Sequence, residues 1–532
     1  MKYNIISINY LLSRDKYCYW HSMSTASDDS TETDSAIKQR HRDAAADAIP
    51  DNLSHYIGGE FVAGNSHKTI ETRDPTTDAV LGEVPAGNAA DIDDAVKAAQ
   101  QAFDGGWKDA SPGERQRVLS EMAHAVEENR KTLATLEVLD TGKTITEAMG
   151  DMGLVIDHLT YYAAAARNVN GETRQTNDLF DREKQVFTVK EPYGVVGAIV
   201  PWNFPLLIAI WKCGPALAAG NTVVLKPSEE TPLSTLKLME LVDNTVPDGV
   251  INVVTGYGED AGAPLSTHED VPKISFTGST EVGKEIIRNS AEDIKKTTLE
   301  LGGKSPVIVY PDADLEEAVE AAMMAIFFNK GECCAAGSRL FVHEDIEEQF
   351  LETFTNAASG MTVGDPLLEE TDMGPKVSDE QVQRTNEFVE AARESGATIR
   401  TGGSAPDDES LAGGAFYEPT VIDDIDHDHP SVQKEIFGPV METFSWSDED
   451  DVVELANDVD YGLAAGVISG DVTKALQTAR RLEAGVVWVN HYNDVSAGQP
   501  FGGYKQSGTG RENAAEAIDE FTQTKAINVN LG

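Results

Sequence analysis

Basic residues are scarce. The 532-residue chain carries 42 Lys and Arg against 90 Asp and Glu, a formal net charge of −48. A surface of that sign repels phosphate backbones and anionic lipid headgroups, which argues against nucleic acid and membrane partners. Long apolar runs are lacking too, and none reaches the ~18 residues that a membrane-spanning helix needs. Cysteine is rarer still. Cys18, Cys213, Cys333 and Cys334 are too few for a secreted disulfide framework, and the adjacent pair has no zinc-ligand spacing, so no metal site is expected. Four thiols fit a reducing, cytoplasmic compartment.

What remains is an ordinary globular composition, 40% hydrophobic, too long for one core of about 250–300 residues. Two or three domains are expected. The net charge implies strong self-repulsion in dilute buffer. Salt near 1 M shortens the Debye length to roughly 3 Å and relieves it. The reading is a protein of a high-salt cytoplasm, with an unusually acidic protein of ordinary cells as the alternative. Residues 1–22 break the pattern with a net charge of +2, and are read as lying upstream of a start at Met23, with a signal peptide around the apolar stretch 5–12 as the weaker alternative. Residues 1–54 are expected to form a solvated N-terminal tail, since 24–50 are rich in Ser, Thr, Asp and Ala.

Order begins at about His55, with a hairpin around Gly58-Gly59 and helical spacing over 92–103, 114–129 and 133–139. Short apolar strands then alternate with helices. Strands are expected at 195–200, 222–225, 251–254, 274–276 and 307–310, and helices at 206–219, 233–242 and 283–290. This grammar means a doubly wound parallel sheet. It restarts at about Leu315, giving a second α/β domain, and 526–531 alternate like an edge strand.

Several strand ends carry groups suited to chemistry. Cys334 precedes Ala335-Ala336-Gly337, where a helix start would lower its pKa; an inert small hydrophobe is the bland alternative. Glu300, between two leucines and before Gly302-Gly303, reads as a buried carboxyl able to act as a base, or as one paired with a Lys. Asn203 lies between two prolines just past a strand, where an amide donates to an oxyanion or satisfies its own turn. Gly278-Ser279 through Gly283 form a glycine turn into a helix, a phosphate cradle or an ordinary turn. It is not the Gly-x-Gly-x-x-Gly fingerprint. Lys226 and Glu229 close another strand and suit ribose hydroxyls, and a carboxylate there favours NAD over NADP; a solvated ion pair is the alternative.

Together these segments resemble the aldehyde dehydrogenase superfamily from about residue 55 to the end. Seven motifs stand in the family's order: 201–205, 226–229, 276–283, 299–304, 331–334, 435–439 and 500–503. The resemblance implies an α/β fold of two doubly wound domains, a Rossmann-like NAD-binding domain over 55–180 and 193–302 and a catalytic domain over 303–500. It also implies a small β oligomerisation flap, from 181–192 and 501–532, and a homodimer or homotetramer. By the same resemblance Cys334 is the nucleophile, Glu300 the general base and Asn203 the oxyanion donor. Trp202, Lys226, Glu229, Gly278, Ser279, Gly283, Leu301, Glu435 and Phe437 face NAD, and Phe204, Trp211, Phe328 and Phe501 line the substrate tunnel. The implied activity is NAD-dependent oxidation of a small aldehyde to the free acid, with Glu300 disfavouring coenzyme A as acyl acceptor. An uncharged aromatic lining implies a neutral or cationic aldehyde. The 503–512 run is similar to that of betaine-aldehyde members.

Overall fold

The computed structural model describes residues 33–175 and 183–531. The expectations for residues 1–32 and 181–182 lie outside the described residues. The most apolar segments become the innermost strands. All five residues of Val195–Ile199, of Thr222–Lys226 and of Lys273–Thr277 are buried, as parallel strands covered on both faces must be. They belong to an eight-stranded sheet in the order Glu60–Val62, His55–Ile57, Ile251–Val253, Thr222–Lys226, Val195–Ile199, Lys273–Thr277, Lys296–Glu300 and Gly508–Thr509. The five strands from 251–253 to 296–300 run parallel, and the outer pairings are antiparallel.

Chain order fixes where a ligand fits this sheet. From 195–199 the chain steps outward through 222–226 to 251–253, then crosses back to 273–277 and 296–300. The order reverses between 195–199 and 273–277, and open parallel sheets bind ligands beyond the strand ends at such a point. The helix Pro205–Ala219 follows the first strand. Pro205 pre-sets its first turn, and Gly220 ends it at φ +93°. Every residue of that helix is buried, including Lys212.

The second sheet has seven strands in the order Thr398–Thr401, Thr420–Asp423, Val440–Trp446, Arg339–His343, Pro306–Val309, Ala464–Ile468 and Val486–Val489. All its neighbours are parallel except the first pair. The expected architecture of two doubly wound units is therefore present. A separate three-stranded sheet joins Thr522–Asn530 to Lys184–Pro192, with nine antiparallel pairs from Thr522↔Pro192 to Asn530↔Lys184, and adds Thr173–Arg174.

Two boundaries are corrected. The segment from 501 onward is not a flap throughout. Gly508–Thr509 completes the first sheet beside Glu300, Tyr504–Lys505 pairs with Tyr461–Gly462, and Phe501, Glu512 and Phe521 are buried. Nor is 34–48 a solvated tail, because Asp34–Ala48 is a helix. Ile37 packs with Leu411 and Phe416, and Ala48 with Leu136 and Leu233. Between them His41 is buried, its Nδ1 2.7 Å from Asp74 and its Nε2 2.9 Å from Asp365. Burial alone would lower its pKa, but the hydrogen bonds to Asp365 and Asp74 raise it to about 9.

Candidate active site

Glu300 ends the strand Lys296–Glu300 and is 2% exposed. Neither of its carboxylate oxygens meets a hydrogen-bond partner among the described residues. Burial first, and then the nearby carboxylate of Glu512, push its pKa well above the ordinary value, while Lys212 and Arg511 pull the other way. Glu512 is itself held by Lys212, whose Nζ lies 2.7 Å from Oε1. An unpaired buried carboxyl of this kind holds its proton to higher pH and is a competent base once it loses it.

The loop carrying Cys334 packs against the strand end that carries Glu300. A Cβ on Gly303 would lie 2.3 Å from the Cys334 carbonyl oxygen. The helix Leu315–Phe327 runs into a turn with Asn329, Lys330 and Gly331 at φ +47°, +61° and +67°. Cys334 does not open a helix, contrary to expectation. The Gly337 N–H donates to Ala325, the Glu442 N–H donates to Ser338, and the chain enters the strand Arg339–His343. No helix dipole therefore acidifies the thiol. The Cys333 thiol beside it, burial, and the carboxylates Glu435 and Glu300 push the Cys334 pKa up. Cys334 is partly exposed, whereas Cys333 is buried.

Asn203 follows the strand Val195–Ile199 and is buried. Its Nδ2 donates to the Glu332 carbonyl at 3.0 Å, and Asn329 Nδ2 donates to the same carbonyl and to that of Asn203. One amide hydrogen of Asn203 is thus fixed on the loop next to Cys334, which leaves the second for a substrate oxygen.

Lys226 and Gly278-Ser279 stand at the ends of the two strands on either side of 195–199, and Glu435 and Phe437 come from the loop before Val440–Trp446 of the second sheet. Lys226 ends its strand with Nζ 2.9 Å from Glu229. Ser279 caps the helix Thr280–Ser290 by accepting from the Val282 N–H, after Gly278 at the end of the strand Lys273–Thr277. Gly283 serves packing rather than an open cradle, since a Cβ there would strike Leu301 at 2.5 Å. Leu301 also donates its N–H to Ser507. Glu435 accepts from the Gly303 N–H at 2.9 Å, and burial pushes its pKa up to about 7. Phe437 adopts φ +62° and sets its ring edge-on to Trp202 at 5.2 Å. A helix N-terminus for phosphates, a Lys and Glu at a strand end for ribose hydroxyls, and a carboxyl beside the catalytic-type cysteine fit a dinucleotide.

The aromatic residues meet beside this site. Phe204 and Phe328 lie nearly parallel at 5.9 Å, and Trp211 packs on Phe501 at 5.3 Å and on His158 at 5.7 Å. Lys143, which local sequence did not single out, sets its ammonium 4.5 Å from the Phe204 ring centre while paired to Glu137 and Asp151. Lys212, Glu512, Glu332, Lys330 and Lys376 were likewise not anticipated. Each is a buried charge whose partner is distant in sequence or lies in the same tight turn.

Comparison with known proteins agrees with this geometry. Residues 61–527 match the aldehyde dehydrogenase family. An aldehyde dehydrogenase of Davidiella tassiana is 44% identical over 480 residues, covering 90% of this chain and 95% of its own. The NAD+ complex of a Bacillus cereus aldehyde dehydrogenase superposes with a TM-score of 0.88 at 43% identity, covering 91% and 98% of the two chains. A betaine aldehyde dehydrogenase of Staphylococcus aureus, also with NAD+, gives 0.89 at 38% identity, covering 92% and 97%. Matched over nearly its whole length, this chain belongs to the aldehyde dehydrogenase family.

Proposed function

We propose that this protein oxidises an aldehyde to the carboxylic acid with NAD, using Cys334 as nucleophile, Asn203 as oxyanion donor and Glu300 as base. The observation that carries the reading is Glu300, buried beside the cysteine loop with no hydrogen-bond partner among the described residues. NAD, when bound, supplies the hydride acceptor. Lys226, Glu229, Gly278, Ser279 and Glu435 would hold it, with Trp202, Leu301 and Phe437 packing alongside.

Cys334 passes its thiol proton to solvent water and its sulfur bonds to the aldehyde carbon, while the Asn203 amide steadies the oxygen that takes on charge. Loss of the carbonyl hydrogen as hydride leaves a thioester on Cys334. Glu300 removes a proton from water as that water attacks the thioester, and the acid departs as the sulfur is released. An acyl transfer to coenzyme A would not need this base, so hydrolysis is the favoured outcome. A catalytically silent NAD-binding member would not need it either.

The side chains of Phe204, Trp211, Phe328 and Phe501 carry no charge themselves, a lining that suits neutral aldehydes. A quaternary ammonium such as betaine aldehyde is the second reading, because aromatic faces attract cations by about 0.5–2 kcal/mol. Lys143 already lies over Phe204, which leaves fewer faces free for that purpose. The acidic surface supports work in concentrated salt inside the cytoplasm. The sheet of 184–192 and 522–530 supports a contact between copies, as dimer or tetramer. No helix among the described residues is long and apolar enough to cross a membrane.

An NAD-linked panel of neutral, anionic and quaternary-ammonium aldehydes, read by NADH absorbance from low to multi-molar KCl, tests the reading. NADH with stoichiometric acid is expected, rising with salt. Acyl-coenzyme A formation on adding coenzyme A, or no NADH with any aldehyde, would overturn it.

A further inference from the structure

The carboxylate of Glu332 is fully buried, two residues before Cys334, and lies between two lysines. Its Oε1 is 3.1 Å from Lys376 Nζ, and its Oε2 is 3.5 Å from Lys330 Nζ. The Lys376 ammonium also donates to the Phe437 carbonyl at 2.8 Å. The Phe437 ring meets Trp202, and Trp202 is covalently joined to Asn203. Asn203 donates its amide to the Glu332 carbonyl. These contacts close a circuit from Asn203 through Glu332, Lys376, Phe437 and Trp202 back to Asn203. The two loops it spans also touch directly, since a Cβ on Gly331 would lie 2.2 Å from the Gly438 carbonyl oxygen.

We infer that Glu332 and Lys376 are positioning residues that tie the loop of Glu435 and Phe437 to the oxyanion donor Asn203. The inference rests on the reading of that loop as the ribose side of the NAD site. Neither residue touches reacting atoms. Lys376 fixes the Phe437 carbonyl, hence the left-handed turn that presents Glu435. The Glu332 backbone fixes the plane of the Asn203 amide, and its carboxylate anchors that backbone to Lys376. When NAD settles the 435–438 loop, the same contacts hold Asn203 in register with Cys334. A buried ion pair that served stability alone would not need its ammonium to reach across to the Phe437 carbonyl.

Three variants of the full chain test this: Lys376→Met, Lys376→Gln and the double variant Glu332→Gln/Lys376→Met. Each is measured for melting temperature, KM for NAD, KM for aldehyde and the NADH burst. Lys376→Met loses a charge-assisted donor and is expected to raise KM for NAD and slow the burst, each by about tenfold, with KM for aldehyde little changed. Lys376→Gln keeps a donor for the Phe437 carbonyl and is expected to recover most of the NAD affinity. The double variant leaves no unpaired buried carboxylate, and Lys330 keeps its acceptors at Asn329 Oδ1 and the Thr141 carbonyl, so its melting temperature recovers in part while KM for NAD and the burst stay impaired. Kinetics that recover together with the melting temperature would overturn the tether. So would equal impairment in Lys376→Gln and Lys376→Met, which decides the matter even if the double variant does not fold. A parent enzyme that makes no NADH with any aldehyde fails the functional reading instead.

Discussion

Glu300 and Glu332 are buried carboxylates on the two sides of one cysteine loop, and their surroundings are opposite. Glu332 sits between Lys330 and Lys376 and accepts from the Val377 N–H. Glu300 has no hydrogen-bond partner among the described residues, and a second carboxylate, Glu512, adds to its burden. Folding tolerates a buried charge when it is paired, and an unpaired one is kept neutral by a raised pKa at a cost in stability. The contrast separates scaffold from chemistry. The carboxyl that stability would reject is the one that the proposed mechanism uses as base.

The sharpest way to break this comparison is Glu300→Gln. Steady-state turnover should fall by about 10²–10⁴, with the NADH burst intact, because only thioester hydrolysis needs the base. A lost burst would move Glu300 to an earlier step. Asn203→Ala should slow the burst itself, by about 10²–10³, through loss of the oxyanion donor. The two carboxylates should then trade places in a stability measurement. Glu332→Ala leaves buried lysines short of a partner and should cost about 3–5 kcal/mol in denaturant unfolding. Glu300→Gln removes an unpaired acid and should be neutral or stabilising.

pH gives the finer contrasts. Glu300 keeps its proton in the folded state above the pH at which the unfolded chain releases it. Folding therefore takes up a proton there, and stability falls as pH rises until the folded carboxyl titrates. Turnover rises at the upper end of that interval, as the folded carboxyl releases its proton, and Glu300→Gln should flatten both profiles. The smallest effect is remote from the site. His41 holds its proton to about pH 9 between Asp74 and Asp365, against 6.5 in the unfolded chain. Its contribution, on the order of 3 kcal/mol, is full below pH 6.5 and lost as pH rises through 9. Melting curves of His41→Gln should show less of that alkaline decline than the parent.

Glu300 and Asn203 stand out as candidates in the sequence because each belongs to a short motif at a strand end, and Cys334 because its motif lies in the loop before Arg339–His343. Alternation of apolar strands and helices likewise marks the inner strands of the first sheet, whereas the strand order, and with it the reversal between 195–199 and 273–277, comes only from the fold. Glu332 and Lys376 were not legible because they are 44 residues apart and meet only through the fold. Lys212 and Glu512 are 300 residues apart. Ala335-Ala336 read as the start of a helix, but they lie in a turn, and the bonds from Gly337 to Ala325 and from Glu442 to Ser338 lead the chain into the strand Arg339–His343 instead. The helix Asp34–Ala48 escaped notice because it buries only Ile37, His41 and Ala48 and is polar on its remaining faces. The missed helix Ile145–Ala165 did carry a signal, the Thr144 and Glu147 capping box.

That first helix carries a lesson about where the working unit begins. The family match opens at residue 61, yet His41 and Arg40 supply the positive charge that faces Asp365, and His41 the charge that faces Asp74. Asp365 and Lys376 lie on one stretch of chain, with Ile145 bonded to Pro366 and Lys376 to Ala415 between them. A protein trimmed to the matched span would leave two aspartates facing an emptied seam at the foot of the segment that carries Lys376. The outline that kinship draws around an enzyme and the outline that its charges require are, in this molecule, different lines.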